Sequence, residues 1–378
     1  MSNTNSQRGL APDLSPTPDS TTRTVLWWSR SGRDYSRDRI VRNTFRTLGW
    51  KIEDFRPSFS RTANLEAILR QVKRPDLVWV PCFRQQDVFA AQKWARERES
   101  PIVFDPLISA WDKQVFERQK FGENSYRARR LLKVESAMLR QSDIVVADTQ
   151  AHAQLFCDVH KVNAENLVVI PVSAEEELFT EQEHQLNSSR PRLLFYGSFI
   201  GLQGPQHIAQ AAREVPEADW TFIGSGPRLD ECVRIAGDVK HMSFLPRVNY
   251  NDLPQQIGKA DILLGIFGDS AKAGRVIPNK VYQSLACGRP VVTRHSSAYP
   301  AQIRKQPAIE SGLSFADFAS PGSIENIVRS LLKGGASEWH QQGRAARKTY
   351  ASQFSNARVA ESLIALLHRL TLSHSSPA

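Results

Sequence analysis

Cysteine is scarce in this chain: Cys82, Cys157, Cys232 and Cys287 are all there are in 378 residues, and no two form a CxxC pair. Each sits in or beside an apolar stretch, which favours buried reduced thiols over metal ligands. Long apolar runs are missing as well. No window approaches the 18 residues a membrane-spanning helix needs. The opening "MSNTNSQRGLAPDLSPTPDS" has no apolar core for a signal peptide. Residues 1–22 are expected to be a disordered leader, and the protein to stay in the cytoplasm, with peripheral contact at the inner face of the membrane left open. No DxD and no histidine cluster is placed to hold a divalent ion, so no metal site is expected. Zinc-finger spacings and an aromatic RNP-like strand are lacking too, which argues against nucleic acid as a partner.

Acid is the minority charge. Asp and Glu number 39 against 49 Lys and Arg, a formal charge of +10. Nucleic acid, anionic lipid and nucleotide phosphate would each answer that excess. The cations are dispersed, as in "YRARRLLKVESAMLRQ" (126–141), where Arg127, Arg130 and Lys133 share one helical side. That side is either a solvated face or a surface for an anionic or lipid-linked acceptor.

What is present is a soluble, globular composition, 41% hydrophobic and 23% charged, long enough for two domains. Short apolar runs alternate with helix-like segments. "TVLWWS" (24–29), "DLVWVPC" (76–82), "PIVFD" (101–105), "DIVVAD" (143–148) and "LVVIPV" (167–172) read as strands. Helical patterns separate them, such as "RDRIVRNTFRTLGW" (37–50) and "QDVFAAQKWARERE" (86–99). A polar stretch, 175–191, breaks the rhythm before it restarts at "RLLFYGS" (192–198). Strands separated by helices of this length predict parallel sheets covered on both faces. The expected fold is α/β: a doubly wound domain over 23–180, a linker at 181–191, and a second such domain over 192–350. A helix at 351–372 should pack back on the first domain. Ligands of such sheets bind beyond the carboxyl ends of the strands, here in a cleft between the domains.

Two glycine-bearing strand ends lie where that rule puts a ligand. In "FYGSFIGLQGP", Gly197 ends a strand and Gly204 precedes a helix; in "FIGSGPR", Gly224 and Gly226 bracket Ser225. Such glycines let backbone N–H groups approach an anion beside a helix N-terminus. Ordinary strand-to-helix turns would explain the same residues. GxGxxG is absent, because "GSGPRL" puts Leu229 at the last glycine, and the GxxxxGK[ST] pattern is absent too.

In order and spacing, "FYGSFIGLQGPQHIAQAA", "FIGSGP", "HMSFLPRVNYNDLPQQIGKADILLGIF" and "KVYQSLACGRPVV" resemble the donor-binding domain of retaining glycosyltransferases with two Rossmann-like domains, the group called family 4 or glycosyl transferases group 1. "DIVVADTQAH" is similar to the end of that family's acceptor-side domain. The resemblance implies transfer of a sugar from a nucleotide-diphosphate sugar, as donor substrate and with no bound cofactor, to an acceptor hydroxyl. It also implies donor contacts near Arg247.

The chain departs from the family where the family contacts its donor. The usual arginine and lysine after the strand-end glycine are Ser198 and Gln203, and the two glutamates with seven residues between them are Arg275 and Gln283. A diphosphate needs cations to bind and to leave. Lys280 and Arg275 are therefore expected to replace the missing pair, Lys280 as a point charge and Arg275 as a planar fork. Asn279 would present the helix start, and Gln283 would bond the ribose hydroxyls. On the acceptor side, Arg33 in "RSGRDYSRDR" and Asp105 and Asp112 in "DPLISAWDK" are candidates, with helix capping an equal reading for the carboxylates. Three other readings remain: an epimerase or inverting transferase of the same superfold, a degenerate nucleotide-sugar-binding protein, and a basic adaptor.

Overall fold

The computed structural model describes residues 22–31, 35–183, 190–317, 320 and 322–375. The expected leader, Arg33 and most of the expected linker fall outside these residues.

The first half runs β1 (Thr24–Trp28), α1 (Ser36–Thr47), β2 (Lys51–Phe55), α2 (Ala63–Leu69), β3 (Leu77–Val80), α3 (Val88–Glu97), β4 (Ile102–Phe104), α4 (Ala110–Asp112), α5 (Tyr126–Arg140), β5 (Ile144–Ala147), α6 (Gln150–Asp158) and β6 (Leu167–Val169). The second runs β7 (Arg192–Ser198), α7 (Pro205–Glu214), β8 (Asp219–Ser225), α8 (Leu229–Ala236), β9 (Met242–Leu245), α9 (Leu253–Lys259), β10 (Ile262–Leu264), α10 (Asn279–Ala286), β11 (Val291–Arg294), α11 (Ala301–Lys305), α12 (Ala308–Ser311) and β12 (Leu313–Ala316). Two long helices close the chain: α13 (Ser323–Gln353), kinked at Gly335, and α14 (Asn356–Ser375).

The strands form two six-stranded, wholly parallel sheets, ordered β2-β1-β3-β4-β5-β6 and β12-β11-β10-β7-β8-β9. Central strands such as "LVWV" and "IVVA" are buried throughout, because helices cover both faces. In each sheet the order reverses beside the first strand of that half, between β1 and β3 and between β7 and β10. These switch points open crevices at the carboxyl ends of the strands.

α14 sends Val359, Leu363, Leu366, Leu367 and Leu370 into the same core as Val25, Trp27, Phe45 and Val146. The chain thus returns to the first sheet after completing the second. A separate core joins the halves, with Cys82, Leu107, Val172 and Phe179 packed beside Tyr196, Val281 and Leu285.

Candidate functional site

α10 begins after Pro278, whose extended backbone sets the chain outside the helix, and every residue from Lys280 to Ala286 is buried. A helix buried all round holds its side chains in fixed directions. Lys280 is 4% exposed. Its Nζ lies 2.5 Å from Oε1 of Gln203 and 3.7 Å from the centre of the Phe195 ring. Among the described residues no carboxylate pairs with it. Burial alone pulls its pKa well below the usual lysine value.

Gly197 makes this arrangement possible. It is the last residue but one of β7, at a φ of +142°, and a Cβ there would lie 2.9 Å from Oε1 of Gln203 and 3.3 Å from the Lys280 Nζ. Gly197, Ser198, Gln203, Asn279, Lys280 and Gln283 line a cavity of about 330 Å³ together with Tyr35, Leu107 and Asp148 of the first half. The cavity therefore lies between the two halves.

Gln283, one turn along α10, is fixed from both ends. Tyr196 donates its hydroxyl to Oε1 of Gln283 at 3.0 Å, and Nε2 donates to the Tyr250 hydroxyl at 3.1 Å. Tyr250 in turn donates to Glu175 at 2.6 Å, and Arg39 clamps Glu175 with two bonds of 2.6 and 2.7 Å. Asn279 reaches across to Tyr35 and Ser36 at 3.1 and 3.2 Å.

Other sequence candidates sit differently. Arg275, expected beside Lys280, instead forms an ion pair with Asp112 and is absent from the cavity lining. Asp112 is fully buried, so pairing with a cation answers a charge that would otherwise be stranded. Asp105 is likewise committed: Arg37 Nε lies 2.7 Å from its Oδ2, with both side chains 1% exposed. Helix capping does not explain either carboxylate, because the cap of α4 is Ser109.

Gly204, Gly224 and Gly226 are close-packing residues. A Cβ on each would strike backbone, of Phe267, Gly197 and Phe199 respectively. They let the loops of β7 and β8 nest and do not face the cavity. Arg247 is exposed beyond β9, outside the cavity lining. Of the described cations in "RSGRDYSRDR", Arg37 is buried and Arg39 is bound to Glu175, so neither joins α5 in one basic face.

Four site features escaped the sequence reading. Lys272 lines the cavity and pairs with Glu117 of the first half. It precedes Arg275 and Lys280 in one basic run, which was the available signal. Tyr250 and Tyr196 hold Gln283, and nothing in their local sequence marks them. Asp148 lines the cavity with its Oδ1 2.5 Å from Nδ1 of His152. The i,i+4 spacing of that pair was visible, but its burial was not.

The comparisons with known proteins agree with this architecture. Residues 190–333 match the family described as glycosyl transferases group 1, and residues 21–173 match the glycosyl transferase 4-like domain. With both halves matched, the chain belongs to the glycosyltransferases built from two Rossmann-like domains. Compared with curated protein sequences, it matches none. Among solved structures it is similar to the sucrose-phosphate synthase tll1590 of Thermosynechococcus elongatus, with a TM-score of 0.72 at 15% identity over 93% of this chain and 100% of that one. It is similar to Anabaena Alr3699/HepE in complex with UDP, with a TM-score of 0.69 at 12% identity over 92% and 100%. A more distant likeness is a putative UDP-N-acetylglucosamine 2-epimerase of Listeria monocytogenes, with a TM-score of 0.56 at 13% identity over 94% and 98%. At such identities the likeness defines the fold.

Proposed function

We propose that this glycosyltransferase takes a sugar from a nucleotide-diphosphate sugar and transfers it with retention to an acceptor hydroxyl, using Lys280 in place of a metal ion to hold the diphosphate. One observation carries the reading. Lys280 is buried, with its Nζ bonded to the amide oxygen of Gln203 and, among the described residues, paired with no carboxylate, and it lines a cavity at the switch point of the second sheet. A buried charge without a counter-ion is costly, and a bound diphosphate supplies the missing anion. The similarity to an Alr3699/HepE structure holding UDP supports a uridine diphosphate donor.

In this mechanism Lys280 stabilises the negative charge that grows on the leaving diphosphate as the glycosidic bond breaks. The start of α10 at Asn279 adds its backbone dipole. Gln283, held by Tyr196 and Tyr250, offers a fixed amide to the nucleoside. Arg275 is assigned to holding the two halves together rather than to the phosphates.

The test is turnover of a UDP-sugar by Lys280→Ala. Loss of one preorganised group at developing charge should cost about 2–4 kcal/mol of transition-state stabilisation, with a smaller loss of donor affinity. Lys280→Arg should restore activity only in part, because a planar fork does not occupy a point-charge site. An unchanged rate in folded Lys280→Ala would remove the reading. Retention is tested separately, by NMR of the anomeric centre in the product.

A further inference from the structure

Asp148 is only half used by the fold. It follows β5 at the carboxyl end of the first sheet, is 6% exposed and lines the cavity between the halves. Its Oδ1 lies 2.5 Å from Nδ1 of His152, four residues along in the first turn of α6. Its Oδ2 has no hydrogen-bond partner among the described residues, yet protein does not seal it off, so it opens on the cavity. A carboxylate oxygen at a buried position, with no hydrogen bond to it, is costly unless a ligand supplies one.

His152 fixes the direction and the charge of this group. Its ring is buried and stacked on Phe156, with centroids 5.8 Å apart, and its Nε2 has no partner among the described residues. A proton on Nε2 would be a stranded donor, so the single ring proton belongs on Nδ1, from which it donates to Asp148. The pair therefore carries one negative charge. Among the described residues no lysine or arginine forms an ion pair with Asp148. The nearby cations are spent elsewhere, Arg37 on Asp105 and Lys272 on Glu117.

Position decides which part of a ligand meets the free oxygen. Along α10, Asn279 comes before Lys280 and Gln283 after it. The first half is pinned at the Asn279 end. The Tyr35 hydroxyl accepts from Asn279 at 3.1 Å, and Thr149, next to Asp148, donates to the carbonyl of Arg275 at 3.0 Å. The O–H of Tyr35 has no acceptor among the described residues, and Tyr35 lines the same cavity. With the diphosphate on Lys280 and the nucleoside at Gln283, the reading on which this inference rests, the glycosyl group continues towards Tyr35 and Asp148. There it meets one free O–H and one free carboxylate oxygen, the complement of sugar hydroxyls. We infer that Asp148 accepts a hydroxyl of the transferred sugar, with Tyr35 donating beside it, and that its charge restricts the enzyme to nucleotide sugars whose glycosyl group is uncharged. A uronate would set carboxylate against carboxylate in a buried cavity, where like charges repel strongly.

The experiment is titration calorimetry of the full chain, without acceptor, against UDP, UDP-glucose and UDP-glucuronate. The last two differ only in the carboxylate at C6. Wild type should bind UDP, and should bind UDP-glucuronate about tenfold or more weakly than UDP-glucose. Asp148→Asn keeps the shape and an oxygen for His152. It should leave UDP affinity unchanged and narrow the gap between the two sugars to about twofold. Tyr35→Phe should weaken UDP-glucose about threefold and leave UDP unchanged, since Asn279 keeps Ser36 as a partner. Thermal melting checks that both variants fold, and the wild-type affinities are decisive even where one does not. Equal wild-type affinities for the two sugars, or a gap that Asp148→Asn leaves intact, would overturn this inference while UDP binding stands. Failure of UDP itself to bind would overturn the reading of the cavity, and this inference with it.

Discussion

The two rims of the cleft handle charge in opposite ways. On the first rim the charges answer one another: Arg37 pairs with Asp105, and Asp148 meets His152, all of them buried. On the second rim Lys280 is buried against an aromatic ring and an amide, with no anion beside it. Between the two, Arg275 of the second half crosses to Asp112 and Lys272 to Glu117. On the first rim the buried arginine finds its carboxylate within the protein. The second is short of one negative charge, and that deficit marks the side on which an anionic ligand belongs.

The pairing on the first rim can be broken at Arg37. Its guanidinium also donates to the backbone carbonyls of Ile170 and Pro171, so it ties α1 to the end of β6. Arg37→Ala would leave the Asp105 carboxylate buried and unpaired, a loss of about 3–5 kcal/mol. The measurement is the urea midpoint at unchanged slope. A shift below about 1 kcal/mol would mean that Asp105 is protonated and the pair is not ionic.

Asp38 offers a finer probe of the same rim. Burial first, and then the neighbouring Asp105, push its pKa up to about 7. An acid whose folded pKa exceeds its unfolded one keeps its proton longer in the native state. Between about pH 4 and 7 the native state therefore binds more protons than the unfolded chain, and this group lowers stability as pH rises through that window. Asp38→Asn mimics the protonated form at every pH. It should match wild type near pH 4 and exceed it by a few kcal/mol above pH 7, read as a growing difference in Tm. A difference that stays constant with pH would show that Asp38 is ionised in the native protein throughout.

How far the sequence revealed this contrast depended on range. The buried parallel strands announced themselves, because strands covered on both faces are apolar without interruption. Two of the four edge strands, "KIEDF" and "LSFA", did not: half of their side chains reach solvent, and their composition resembles that of loops. α2 was passed over because its apolar side chains face outward, the reverse of the pattern that marks a helix. Lys280, Gln203 and Gly197 were legible together, since strand-end glycine and helix-start lysine occur in a known order. The contact of Arg275 with Asp112, 163 residues away, was not legible, because no local pattern carries a contact of that separation.

The deficit on the second rim can be sharpened by removing it. Lys280→Met keeps the length of the side chain and deletes the buried charge. Without ligand the variant should be more stable than wild type by about 1–2 kcal/mol, in line with replacing buried ionic groups by apolar ones of similar volume. Saturating UDP should then raise the Tm of wild type and leave that of the variant nearly unchanged. A destabilised Lys280→Met that still gains stability from UDP would place the phosphates elsewhere.

The smallest effect concerns the link between the rims. Tyr250 donates to Glu175 and accepts from Gln283, and the guanidinium of Arg39 lies 5.3 Å from its ring. Tyr250→Phe keeps the ring and its packing on Phe179 but removes both hydrogen bonds. Glu175 keeps Arg39 as its charged partner, so no carboxylate is stranded. The cost to stability should be about 1 kcal/mol, the net worth of a part-buried hydrogen bond. Gln283 loses its anchor on one side, and its amide becomes free to turn. Donor affinity should fall by a similar amount while the maximal rate changes little, because the nucleoside contact is made equally in the bound and transition states. A fall in rate as large as that of Lys280→Ala would mean that Tyr250 also acts on the diphosphate, and the division between a nucleoside end at Gln283 and a phosphate end at Lys280 would not hold.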